Sequence, residues 1–168
     1  MKNLDIDFVR RTQKIINNYE GKFEYTLLIN CTLGLIQLPF EVNKVKRLSF
    51  LNRNLKDVDI IQEIFKKDSN YIFSPTKFNR QKKEYVGDRK NLYTFLQHLR
   101  NSLAHLANAE TQNEDGEWVS IRLKDINVRN NANVELEVTI DKDDLKTLAM
   151  YLSDEYINAI QKLNKKLA

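Results

Sequence analysis

Glycine and proline are scarce in this chain: 4 Gly and 2 Pro among 168 residues. A fold built from many tight β-turns needs both, glycine for positive φ and proline for preset turn geometry. With so little turn chemistry the expected fold class is mainly α. The length suits one domain over 1–168, large enough to bury a real core. A hydrophobic share of 42% and a charged share of 30% belong to a globular chain rather than a disordered one. The single cysteine, Cys31, excludes an intramolecular disulfide framework and a thiolate zinc cluster. The longest apolar run, near Tyr25 to Phe40, is interrupted by Asn30, Thr32 and Gln37, which makes it a poor membrane span. Met1 to Asp5 lacks the basic-then-apolar layout of a secretory signal. A reduced cytoplasmic compartment with no membrane partner is the expectation.

Along the chain, a first helix is predicted from Asp5 to Glu20, with Phe8, Ile15, Ile16 and Tyr19 on one face and Gly21 as its stop. A second, from Lys22 to Leu38, is apolar nearly all round and should be the most buried, ending before Pro39. Val58, Ile60, Ile61, Ile64 and Phe65 suggest a short helix capped by Asp57 or Asp59. Residues 68–87, with Ser74-Pro75 inside, read as a long connection. Asp88 is the expected N-cap of a helix from Arg89 to Glu110. Period-two alternation over 118–123 and 134–140, joined through Asn130 to Asn133, predicts an antiparallel hairpin. Asp141 or Asp143 then caps a last helix that reaches Lys165. The sum is a bundle of four to five helices with a small antiparallel β-hairpin before the C-terminal helix.

The helix over 91–106 carries the most information. At about 100° per residue, Leu92, Phe95, Leu96, Leu99, Leu103 and Leu106 gather on one side. Gln97, His98, Arg100, Asn101, Ala104 and His105 fall on the other, which therefore holds both histidines of the chain beside an arginine and an asparagine. Arginine is cationic at any working pH and offers a planar fork suited to phosphate oxygens. Histidine takes and returns a proton near neutrality. RNA supplies its own nucleophile in the 2′-hydroxyl, so its cleavage asks for a base or acid and for stabilisation of charge on the phosphorus oxygens. His105 and Arg100 are those residue types, and Asn101 can position the phosphate or its neighbours.

One helix assembles such a site imperfectly. Arg100 and His105 stand about 7.5 Å apart along the axis and about 140° apart around it. Helical side chains also lean toward the N-terminus, which turns Arg100 away from His105. Two copies packed about a two-fold axis would bring two arginines and two histidines to one groove. A composite site in a homodimer is therefore expected. Between Lys77 and Lys90 the basic residues Lys77, Arg80, Lys82, Lys83, Arg89 and Lys90 are interleaved with Phe78 and Tyr85, a pattern that can cradle phosphates and stack bases. The plainer reading of that stretch is a solvated loop.

Other chemistries are poorly supported. Asp141, Asp143 and Asp144 begin like a calcium loop, but Lys146 and Leu152 stand where glycine and a terminal glutamate are needed. His98 and His105 lie two turns apart with no thiolate or paired carboxylate to complete a metal site, so no metal and no cofactor is expected. No glycine-rich phosphate loop and no nucleophile elbow occurs.

Arg100-Asn101-Ser102-Leu103-Ala104-His105 resembles the signature of the HEPN superfamily, in which an arginine and a polar residue precede a histidine by a short spacer. The resemblance implies an all-α bundle that dimerises and often acts as a metal-independent endoribonuclease, in toxin–antitoxin, defence or RNA-processing systems. It implies Arg100, Asn101 and His105 as the catalytic set, RNA as substrate, and an antitoxin or other protein as partner. His98 at the rim, with Lys82, Lys83 and Arg89 steering the strand, would bind substrate. The rival reading is a module that keeps the fold and only binds RNA, nucleotide or protein.

Overall fold

A computed structural model describes residues 4–41 and 48–167. It contains five α-helices: α1 (Leu4–Asn18), α2 (Glu24–Glu41), α3 (Asp59–Lys67), α4 (Leu92–Ala104) and α5 (Lys142–Leu167). Six strands accompany them: β1 (Ile72–Phe73), β2 (Thr76–Asn79), β3 (Glu84–Gly87), β4 (Glu110–Glu114), β5 (Glu117–Asn127) and β6 (Asn133–Asp141). The helices are present as a set, but the β part is larger than one small hairpin. β1, β6, β5 and β4 form a four-stranded sheet in that order, antiparallel throughout, and β2 pairs with β3 as a separate hairpin.

The core lies between one sheet face and the helices. Ile121 and Leu123 of β5 and Leu136, Val138 and Ile140 of β6 are buried with Phe95, Leu99 and Leu103 of α4 and Leu145, Leu148, Leu152 and Tyr156 of α5. The α4 stripe is the predicted one except for Leu106, which lies exposed beyond the helix end; spacings of three, four and seven leave a helix only one way to bury such a stripe. α1 keeps Ile16 of its expected face inside but is otherwise rotated. Val9, Thr12 and Ile16 are buried, whereas Phe8 and Ile15 are exposed. Residues 8 and 15 form a stripe adjacent to 9 and 16, and packing against α2 and α5 selects the latter. α2 does not stop before Pro39 but continues to Glu41 with Pro39 inside it. The proline forfeits one backbone hydrogen bond near the helix end, where that loss is smallest, and its ring is buried.

Caps also differ from expectation. α3 follows Val58, which offers no side-chain bond; Asp59 is instead in the first turn, where its charge meets the positive helix end. Asn91, not Asp88, caps α4: its Oδ1 accepts from the Thr94 amide at 2.9 Å and from the Thr94 hydroxyl at 2.9 Å. Asp88 pairs with Lys77 at 3.1 Å. Asp141 does cap α5, accepting from the Asp144 amide at 2.7 Å.

α4 ends at Ala104, six residues short of its expected end, because Glu110 to Glu114 pair with β5 from Arg122 back to Glu117. The pairing outcompetes a weak local helix preference. Residues 68–87, expected as a connection, hold β1 and the β2–β3 hairpin. Among the described residues no helix is long and apolar enough to cross a membrane.

Candidate functional site

The polar flank of α4, the far end of the β5–β6 hairpin and the start of β2 line a cavity of about 630 Å³. That is a volume common among small-ligand sites. α4 contributes Gln97, His98 and Asn101 to its lining and His105 follows at its end; β5 and the following turn contribute Asp125 to Arg129, and Thr76, Lys77, Asp88 and Glu135 complete it. The α4 set follows from helical spacing, since positions 97, 101 and 105 are four apart and 98 is adjacent.

His98 is not the expected rim residue: it is only 7% exposed, drawn in against two carboxylates. Its Nδ1 lies 2.6 Å from Asp125 Oδ2 and 3.6 Å from Glu135 Oε2, and its ring stands edge-on to Phe73. Both carboxylates reach it because the β5–β6 ladder slips there. Asp125 pairs with Leu136 and Ile126 with Val134, which leaves Glu135 as the extra residue of a bulge. A bulge bends its strand and re-aims a side chain. Glu135 Oε1 accepts from the Asn127 amide at 2.8 Å and from the Thr76 hydroxyl, so this buried carboxylate also ties β2 to the sheet. Asn130 Nδ2 donates to the same Thr76 oxygen at 3.3 Å.

Asn101 stands between the histidine site and the arginine. Its Nδ2 donates to Asp125 Oδ2 at 3.3 Å, and its Oδ1 accepts from the Arg100 guanidinium at 2.9 Å. Arg100 itself turns away from the cavity. Its guanidinium carbon lies 5.5 Å from the centre of the Phe40 ring on α2, a cation–π geometry, and it is not part of the lining. His105 is the residue after the helix; its backbone N–H still donates to Asn101 O at 3.0 Å, and its side chain is exposed at the rim.

The structure thus brings His98, Asn101 and His105 together and leaves Arg100 on the neighbouring flank. Lys82 and Lys83 sit at the tip of the β2–β3 hairpin, Lys82 within 3.9 Å of Glu84, and Arg89 follows the hairpin. All three are exposed, and none lines the cavity. The cations in the lining are instead Lys77 and Arg129. Phe78 and Tyr85 face each other across that hairpin with ring centres 5.3 Å apart. Among the described residues no group of three or more His, Cys, Asp or Glu is arranged to hold a metal ion.

A protein-family model described as HEPN pEK499 p136 matches residues 1–163. The chain belongs to this HEPN family. No curated protein and no solved structure gives a significant match to it. In this HEPN chain the motif straddles the end of α4, with Arg100 and Asn101 in the last helical turns and His105 just beyond them.

Sequence reasoning missed Asp125, Glu135, Thr76 and Asn127 in the HEPN cavity. One signal was available. Asp125 has the same parity as the core residues Ile121 and Leu123, so the alternation that predicts β5 places a carboxylate in its inward row. Glu135 gave none, because a bulge cannot be read from alternation.

Proposed function

We propose that this HEPN chain is a metal-independent endoribonuclease that cleaves RNA by attack of the 2′-hydroxyl and leaves a 2′,3′-cyclic phosphate. His105 acts as general acid or base, Asn101 positions the link, and Arg100 clamps the phosphate. The observation that carries the reading is the convergence of His98, Asn101 and His105 on one cavity with Lys77 and Arg129 in its lining. An imidazole there can move a proton, and the cations offset charge on a phosphodiester.

Arg100 stacks on Phe40 outside the cavity of its own chain, so the clamp comes from a second copy in a two-fold dimer. Leu106, exposed directly after the motif, suits such a contact. An unrestrained ribonuclease harms its own cell, which fits a toxin or defence effector held by a protein antitoxin.

The test is incubation with single-stranded RNA in excess chelator, beside Arg100→Ala and His105→Ala. Chelator-resistant cleavage into cyclic-phosphate ends, lost in both variants, is the expected result. Mixing the two variants restores one intact site per dimer if the site is composite. Unchanged cleavage in both variants overturns the residue assignment.

A second reading draws on the two carboxylates, Asp125 and Glu135, in the wall. They repel a phosphate and accept hydrogen bonds from a nucleobase, which favours a non-catalytic module that binds RNA or nucleotide. Retention of RNA without cleavage in the same assay identifies it.

A further inference from the structure

We propose that His98, oriented by Asp125, is the base that takes the 2′-hydroxyl proton, so that His105 is left to serve as the acid. This rests on the ribonuclease reading above and adds a second imidazole to it. An ionised carboxylate only accepts hydrogen bonds, so the 2.6 Å contact from Asp125 Oδ2 places the ring proton on Nδ1. The other nitrogen, Nε2, then carries a lone pair, and it makes no hydrogen bond to any described residue. His98 is 7% exposed, and what it exposes contributes to the cavity lining. A proton received at Nε2 creates an imidazolium whose charge Asp125 stabilises, the arrangement that makes a carboxylate-held histidine a base.

His105 has a different environment. Its side chain is exposed, and no carboxylate among the described residues holds it. Seven residues separate the two histidines, about 10.5 Å along the helix and nearly the same direction around it. Both histidines line the same cavity, and the proposed ribose–phosphate link lies between their imidazoles there. The 2′-oxygen loses its proton to His98 Nε2 and uses its electron pair to bond phosphorus. The bond from phosphorus to the 5′-oxygen breaks, and that oxygen takes its proton from the His105 imidazolium. Asp125 is a positioning residue: it sets the tautomer and aim of His98 and receives the Asn101 amide at 3.3 Å.

The experiment compares two RNA substrates, one ordinary and one in which sulfur replaces the bridging 5′-oxygen, whose departure needs no proton. Cleavage of both is measured for wild type, His98→Gln, His105→Ala, Asp125→Asn and Asp125→Glu, with thermal melting to confirm folding. Loss of the base should slow cleavage about 10²- to 10⁴-fold on either substrate. Loss of the acid should slow the ordinary substrate alone, with the sulfur substrate restored to near the wild-type rate. Asp125→Asn should behave like a weaker His98→Gln, down about 10- to 100-fold on both substrates, and Asp125→Glu should recover part of that. Folded His98→Gln that cleaves normally, or one rescued by sulfur, overturns the assignment while leaving the ribonuclease reading intact. If His98→Gln does not fold, Asp125→Asn decides: an unchanged rate, or rescue by sulfur, overturns it. A wild-type protein that cleaves neither substrate overturns both readings together.

Discussion

Replacing Tyr25 by phenylalanine removes one oxygen from the interior and should change stability with a sign that depends on pH. Tyr25 is 2% exposed, and its hydroxyl donates to the Ile140 carbonyl at 2.6 Å, binding α2 to β6. Burial, reinforced by the charge of Asp141, pushes the phenol far above its ordinary value of 10.0. Near neutral pH the variant loses one buried hydrogen bond, which costs about 1 to 1.5 kcal/mol. A group whose folded value is raised gives stability that is complete below the unfolded value and disappears as pH climbs past it. Above pH 10 the wild type therefore loses about 1.4 kcal/mol per pH unit through this residue, while the Tyr25→Phe variant loses none. The two stability curves should meet roughly one pH unit above the unfolded value. Trp118 is the only tryptophan in the chain and lies edge-to-face with Tyr25 at 6.4 Å, so its fluorescence follows unfolding by denaturant across a pH series. A stability difference that stays constant through the alkaline range would refute the reasoning, as would a variant more stable at neutrality.

Three further outcomes are expected. Glu135→Ala leaves the Thr76 hydroxyl and the Asn127 amide without their acceptor, which should cost about 2 to 3 kcal/mol and raise hydrogen exchange across β2 and β3; Glu135→Gln, which keeps an acceptor, should cost less. Asn91→Ala removes the α4 cap and should lower stability by about 1 kcal/mol in denaturant titration, whereas Asp88→Ala, whose carboxylate joins a partly exposed ion pair, should change it by less than about 0.5 kcal/mol. If Lys82 and Lys83 steer a single strand from the hairpin tip, changing both to Gln should weaken RNA retention and reduce its logarithmic salt slope by about 1.4, measured by filter binding at several salt concentrations.

Particular residues explain what could be read in advance. Leu145, Leu148, Leu152 and Tyr156 announce α5 because only a helix gathers that spacing, and Ile121 with Leu123 announces β5 by simple alternation. β4 carries Glu, Thr, Gln, Asn and Glu, all exposed, so nothing in its own residues distinguishes it from a loop; only the neighbouring β5 makes it a strand. β1 is two residues long and borrows its identity from β6. At the site, the polar flank of α4 was legible, since helical geometry fixes which residues share it. The outward turn of Arg100 was not, because it depends on Phe40, sixty residues earlier, and on α2 running through Pro39 to carry that ring into reach. The wall opposite α4 was hidden by the slip in the β5–β6 ladder.

Glu135 serves two structures at once, as part of the cavity wall and as the fastener of the β2–β3 hairpin. Occupancy and hairpin docking are therefore thermodynamically linked. A guest that draws on this carboxylate loosens the basic arm that Thr76 begins, and an arm pinned elsewhere, by nucleic acid or protein, changes the affinity of the cavity by the same factor in return.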